Sequence, residues 1–121
     1  YNQYDGTVEN IKFKSIETFG NGSVGIQISK KIGSLTIDEN IITHGAIGSS
    51  LVKGKYIDLS AYGLSIKDGG EADKITINGN IETHGDNVTS YIKEKEGKVN
   101  ELKVNGEIKA LGKNSKKTET Q

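Results

Sequence analysis

Internal repetition constrains this chain more than any other sequence feature. Three segments, which begin at Leu35, Ile75 and Leu102, read LTIDENIITHG, ITINGNIETHG and LKVNGEIKALG. A fourth segment, which begins at Ile11, matches the same pattern when one residue is omitted from its turn. Repeats of roughly 20 to 50 residues are typical of solenoids, in which each repeat stacks on its neighbours and buries a shared core.

A shorter motif alternates with the first and has the same strand-like spacing. It reads GIQI at 25–28 and GLSI at 63–66, with SYI at 90–92 as a degraded copy. In both motifs the apolar residues lie at i and i+2, which is the period of a strand with one buried face. Gly, Asn and Asp fill the intervals, as in turns. These patterns predict an all-β protein.

The phase of the repeats favours parallel coils over an antiparallel sandwich. The motif starts at 11, 35, 75 and 102, with a strand-like Ile57-Asp58-Leu59 between, lie roughly 18 to 27 residues apart. Hairpins do not require the same side chain at the same phase of every repeat, whereas parallel coils stack equivalent residues about 4.8 Å apart. We therefore expect a right-handed parallel β-helix of about four to five imperfect coils over residues 1–112. Its two aliphatic stacks are Leu35, Ile57, Ile75 and Leu102, and Ile16, Ile41, Ile81 and Ile108.

Composition agrees with a thin core and argues against a nucleic-acid partner, a thiolate metal site and a membrane span. Only 32% of residues are hydrophobic and 6% are aromatic, while Gly supplies 16 positions. The 16 basic residues are all Lys and balance 16 acidic ones, so we expect no nucleic-acid partner. The chain has no Cys for disulfides or thiolate metal sites, and no apolar run long enough for a membrane span.

The ends of the predicted solenoid differ in character from its coils. Residues 113–121 have no large apolar side chain, and we expect a disordered tail or linker there. The charged run 93–98 is expected to form a loop at a coil corner. A solenoid without caps exposes core at both ends, which favours a segment of a longer protein or an end-to-end homo-oligomer.

The alternation of the ITINGNIETHG block with the GLSI block resembles the degenerate repeats of bacterial autotransporter passenger domains. The resemblance covers about residues 6 to 112. It implies secretion to the Gram-negative outer surface, and a virulence-associated role in adhesion, aggregation or contact with a host-surface or extracellular ligand. On this basis we expect a non-catalytic scaffold with no cofactor.

Two pairs of polar residues recur at equal phase and are the first candidates for a site. With one coil between them, His44 and His84 would lie about 10 Å apart, too far to share one metal ion. We therefore expect no metal site and interpret both as solvent-facing positions that could contact a ligand. Asn40 and Asn80 are expected to form a structural asparagine ladder at a turn.

The alternative function is a carbohydrate-binding or carbohydrate-processing β-helix. Tyr56, Tyr62 and Tyr91 could stack on sugar rings if they share a face, although Tyr91 aligns with Leu64 and could instead fill the core. Glycoside cleavage needs paired carboxylates on one face. The nearest candidates, Asp58, Asp68 and Asp73, occupy different phases, and we do not expect an enzyme.

Overall fold

The computed structural model describes the backbone of residues 2–3, 8–52 and 54–120, and the side chains of 10–48, 54 and 60–120. Within these residues the regular structure consists of short strands. In chain order they are Asn2–Gln3 (β1), Val8–Phe13 (β2), Ile16–Thr18 (β3), Ile26–Ile28 (β4), Lys31–Ile37 (β5), Ile41–Thr43 (β6), Gly48–Val52 (β7), Lys55–Leu59 (β8), Leu64–Ile66 (β9), Glu71–Ile77 (β10), Ile81–Thr83 (β11), Thr89–Lys93 (β12), Lys98–Val104 (β13), Ile108–Ala110 (β14) and Lys116–Thr120 (β15).

These strands form a parallel β-helix of four coils, as the sequence predicts. Each coil contributes one strand to each of three parallel sheets. We name them sheet A (β1-β4-β9-β12-β15), sheet B (β2-β5-β10-β13) and sheet C (β3-β6-β11-β14). The coils are coil 1 (8–28), coil 2 (31–66), coil 3 (71–93) and coil 4 (98–120).

The register places the aliphatic residues of successive coils on top of one another. In sheet B, Ile75 pairs with Leu35 on one side and with Leu102 on the other. In sheet C, Ile81 pairs in the same way with Ile41 and Ile108. The residues of coils 2 and 3 in these stacks are fully buried, whereas those of coils 1 and 4 are half-buried. Coil-to-coil stacking therefore builds the core, and it is thinnest at the two ends.

Sheet A has buried side chains on both of its faces. Leu64 and Ile66 belong to the core cluster, and Ser65 between them is only 1% exposed. Ile92, which pairs with Ser65, is 3% exposed although it lies outside that cluster. Both sides of this sheet are therefore shielded from solvent in the central coils.

The strand at Ile57 does not form a coil, and this part of the prediction is wrong. β7 and β8 pair antiparallel, with Ser50 opposite Ile57, and form a hairpin inserted between β6 and β9. Coil 3 stacks directly on coil 2, so Ile57 is absent from the Leu35, Ile75 and Leu102 stack. Alternating apolar residues specify a strand but not the direction of its partner, which explains the error.

The expectation of a disordered tail at 113–121 also differs from the structure. β15 pairs in parallel with β12, with Lys116 opposite Thr89 and Thr118 opposite Tyr91. The Lys113 N–H also donates to Asp86 Oδ1 at 2.7 Å. Because main-chain pairing needs no apolar side chain, a charged segment can complete the last coil. The ordered domain therefore extends past residue 112 to Thr120.

The charged run 93–98 forms a corner between β12 and β13, as expected, with Lys95 and Glu96 exposed.

In the part of the chain that the structure describes, no helix has the length and apolar character required to cross a membrane.

Candidate functional site

A column of four side chains runs along the corner that follows sheet C. Because Thr18, Thr43, Thr83 and Ala110 pair in register, the residue after each of them takes the same place on its coil. These residues are Phe19, His44, His84 and Leu111, which we call the corner column. All four side chains are exposed. The sequence indicated only the two histidines, but the position after each sheet C strand would have identified Phe19 and Leu111 as well.

The histidines of the corner column are direct neighbours, which corrects the expected separation of about 10 Å. The ring centroids of His44 and His84 are 4.7 Å apart, with an interplanar angle of 21°. Phe19 stacks on the other face of His44, also at 4.7 Å and with an angle of 8°. The expected separation assumed a coil at Ile57, and the hairpin removes that coil. Stacked rings cover one another's faces and leave mainly their edges for a partner.

Two carboxylates orient the imidazole rings. Glu17, Ile42, Glu82 and Lys109 form a second column on the outer face of sheet C. His44 Nε2 lies 2.6 Å from Glu17 Oε2 of the preceding coil, and His84 Nε2 lies 3.5 Å from Glu82 Oε1 of its own coil. Asn80 Nδ2 donates to the other Glu82 oxygen at 3.3 Å. The arrangement fixes ring orientation and leaves a polar strip beside the corner column.

The close approach of successive coils at this corner depends on glycine. Gly45 and Gly85 directly follow the two histidines. A Cβ atom built on Gly85 would lie 2.1 Å from the Gly45 carbonyl oxygen, and one built on Gly45 would lie 2.1 Å from that of Gly20. The main chains therefore pack directly on each other, which keeps the rings within stacking distance.

The asparagine ladder is confirmed, and its role is structural. Asn40 Oδ1 accepts the Asn80 N–H at 2.7 Å, and Asn80 Oδ1 accepts the Glu107 N–H at 2.9 Å. Each side chain thus satisfies a main-chain donor of the next coil at the turn between sheets B and C. The ladder has a direction, because each amide oxygen accepts from the coil that follows it in the chain.

The tyrosines do not form one platform within the described residues. Tyr91 pairs with Leu64, as its alignment predicts, and it packs against the core cluster. Burial removes water from its phenol and raises the pKa of Tyr91 above its ordinary value of 10.0. Tyr62 is half-buried before β9, and its carbonyl accepts the Gly25 N–H at 2.9 Å. The side chain of Tyr56 lies outside the described residues.

The candidate carboxylates take part in separate local contacts. Asp68 Oδ1 accepts the Glu96 N–H at 2.8 Å, and Asp73 Oδ1 accepts from Asn100 Nδ2 at 3.1 Å. The side chain of Asp58 lies outside the described residues. A shallow corner cavity of about 290 Å³ is lined by Gly69, Gly70, Glu71, Glu96 and Lys98. Among the described side chains, no group of three or more His, Asp or Glu residues is placed to hold a metal ion.

No protein-family model, curated protein or solved structure matches the chain.

Proposed function

We propose that this chain is a non-catalytic β-helical scaffold segment of a secreted or surface-displayed protein. The observation that carries the proposal is the use of its repeated polar residues between coils. Asn40 and Asn80 bond the next coil, and His44 stacks between Phe19 and His84. Side chains arranged in this way stiffen a rod that lengthens by about 4.8 Å with each coil. A rigid rod that carries contact residues along its side suits display away from a cell surface.

The resemblance to autotransporter passenger repeats supports a more specific form of the proposal. In that form the segment belongs to an adhesin-like, virulence-associated passenger on the Gram-negative outer surface. The partner is a host-surface or extracellular ligand that contacts the lateral face. The corner column and the adjacent Glu17 and Glu82 offer apolar, aromatic and acidic groups in one strip, which is a suitable surface for such a contact.

Surface display is tested by labelling cells that express the native protein with an antibody raised against this chain. Labelling of intact cells, and loss of the signal after brief external protease treatment, would support the proposal. Labelling that appears only after permeabilisation would contradict it. The same antibody should block adhesion. The purified chain should compete with adhesion, and a His44→Ala, His84→Ala variant should compete less well than the unchanged chain.

A carbohydrate-binding module is the second candidate, and the exposure of Phe19 favours it. The Phe19 ring is 70% exposed and stacks on His44 through one face. Sugars bind to open aromatic faces of this kind. A glycan array tests the candidate, with Phe19→Ala as the variant and Tyr62→Phe as a control that keeps its ring. Binding that Phe19→Ala abolishes would support it, and an empty array would refute it. Release of reducing ends from a bound glycan would instead indicate carbohydrate processing.

A further inference from the structure

Both ends of the β-helix leave residues of its apolar stacks half-buried. At the end formed by coil 4, Leu102, Val104 and Ile108 are only half-buried, and a cavity of about 560 Å³ is lined by Val104, Ile108 and neighbouring polar residues. At the opposite end, Ile11, Phe13 and Ile16 of coil 1 are also half-buried. The equivalent residues of coils 2 and 3 are fully buried by the coils on either side.

The register makes these ends complementary. Phe13 pairs with Ile37, Ile37 with Ile77, and Ile77 with Val104, so Val104 of coil 4 and Phe13 of coil 1 share one phase. Leu102 shares a phase with Ile11, and Ile108 shares one with Ile16, by the same argument. A second copy placed on coil 4 in this register would set β2 on β13 and β3 on β14. Its β1 would fall on the place of β15, so the two-residue β1 has to give way, and β15 then pairs with β4 of the next copy. Every strand of coil 4 then has a parallel partner in coil 1 of the next copy.

The exposed hydrophobic residues fall at this junction. Large hydrophobic side chains that are exposed in the described part of the chain are Phe19 at 70%, Leu111 at 57% and Ile47 at 43%. Phe19 and Leu111 are the first and last members of the corner column. In a head-to-tail stack, Leu111 of one copy would contact Phe19 of the next, which continues the column and covers both side chains.

Polar groups at the two ends are also placed so that they could attract each other. Lys109 would lie beside Glu17 of the next copy in the outer column of sheet C, and opposite charges at paired positions attract. Glu107 takes the phase of Asn40 and Asn80, and its side chain is 74% exposed. Its carboxylate can accept a main-chain N–H of the next coil 1, as the ladder amides do. One pair opposes the contact, because Lys103 would face Lys12.

We propose that a second copy of this chain docks head-to-tail on coil 4, with Leu111 packed on Phe19 of the next copy. The interface is heterologous, so association continues into open linear arrays rather than stopping at a closed dimer. The repulsion between Lys103 and Lys12 keeps the contact weak and reversible. The inference concerns the ends of the β-helix and does not depend on the scaffold function proposed for its sides.

Sedimentation velocity of the 121-residue protein over a wide concentration range tests the proposal. The average mass should rise with concentration above the 13.0 kDa of the monomer. Leu111→Glu and Phe19→Glu, which change exposed residues, should each abolish the rise. Ile47→Glu makes the same change at the third exposed hydrophobic residue, away from the junction, and should leave the rise intact.

Mixing identifies the polarity of the contact. Leu111→Glu blocks one end and Phe19→Glu blocks the other, so a mixture of these two variants should form a dimer and nothing larger. Lys103→Glu replaces a repulsive pair with an attractive one and should raise the association constant several-fold. Lys30→Glu, which makes the same change in charge at the corner between coils 1 and 2, should not. A protein that stays monomeric throughout, a mixture that forms no dimer, or equal loss of association in Ile47→Glu would overturn the proposal.

Discussion

Truncating one central core residue should show how the stacked coils hold this fold together. Ile75 is fully buried between Leu35 and Leu102, its partners in the neighbouring coils. Ile75→Ala removes buried carbons, and the cavity cannot close because main-chain hydrogen bonds fix the spacing of the coils on both sides. Substitutions of this kind cost about 2 to 5 kcal/mol, and the fixed spacing places Ile75→Ala at about 3 to 4 kcal/mol.

The matched change at the end of the stack should cost less. Leu102 lies in the last coil, is half-buried and has one stacked neighbour in sheet B instead of two. Leu102→Ala therefore loses roughly half the contact area and should cost about 1 to 2 kcal/mol. The difference between the two variants follows from position along the helix axis, because both residues occupy one phase of the repeat.

Urea unfolding followed by circular dichroism measures both effects. With a slope of about 1.5 kcal/mol per molar urea, the midpoint should fall by about 2 M for Ile75→Ala and by about 1 M for Leu102→Ala. The comparison is made at low protein concentration, so that association at the ends does not add to stability. Equal losses in the two variants, or a loss below about 1 kcal/mol for Ile75→Ala, would refute the stacking argument.

Three further changes probe separate contacts. Gly85→Ala puts a Cβ atom against the Gly45 carbonyl oxygen and should lower thermal stability by about 2 kcal/mol or more. At Gly54 an added Cβ meets nothing within 4 Å, so Gly54→Ala should cost only about 1 kcal/mol, through the positive φ of that residue. Asn80→Ala removes the acceptor of the Glu107 N–H and should cost about 1 kcal/mol in urea unfolding, with faster amide exchange at Glu107. Burial raises the Tyr91 pKa, so the folded state holds the phenol proton more tightly than the unfolded chain does. The resulting stability is present below pH 10.0 and is lost above it. Tyr91→Phe should reduce that loss in a pH titration of the melting temperature. No difference between the two glycine variants, unchanged exchange at Glu107, or an unaltered alkaline loss would each contradict its argument.

The sequence predicted those parts of the fold that depend on repeated phase. The stacks of Leu35 with Ile75 and of Ile41 with Ile81 follow from equal positions in each repeat, since parallel coils place equal positions together. The asparagine ladder followed for the same reason. Residue identity at a fixed phase is therefore reliable evidence for contacts between neighbouring coils of this chain.

Strand direction and edge pairing were harder to predict, because they depend on the main chain rather than on side-chain pattern. Ile57 has the alternation of a coil strand but lies in a hairpin, and Gly54, with φ of 78° in the turn, was the signal that could have identified it. The error in coil number then separated His44 from His84. β15 was missed because hydrophobicity was the criterion, whereas its pairing with β12 uses main-chain groups.

The central claim is that segments 40 residues apart in sequence are direct neighbours in a parallel sheet, and an engineered disulfide tests it most directly. Thr36 pairs with Thr76 in the structure, at the adjacent-strand distance that a disulfide can span. The chain has no Cys, so a Thr36→Cys, Thr76→Cys variant holds one reactive pair. The account predicts rapid formation of an intramolecular disulfide under mild oxidation. It predicts none for Thr36→Cys, Lys103→Cys, whose partners lie two strands apart. A disulfide in the second variant but not in the first would contradict the parallel β-helix described above.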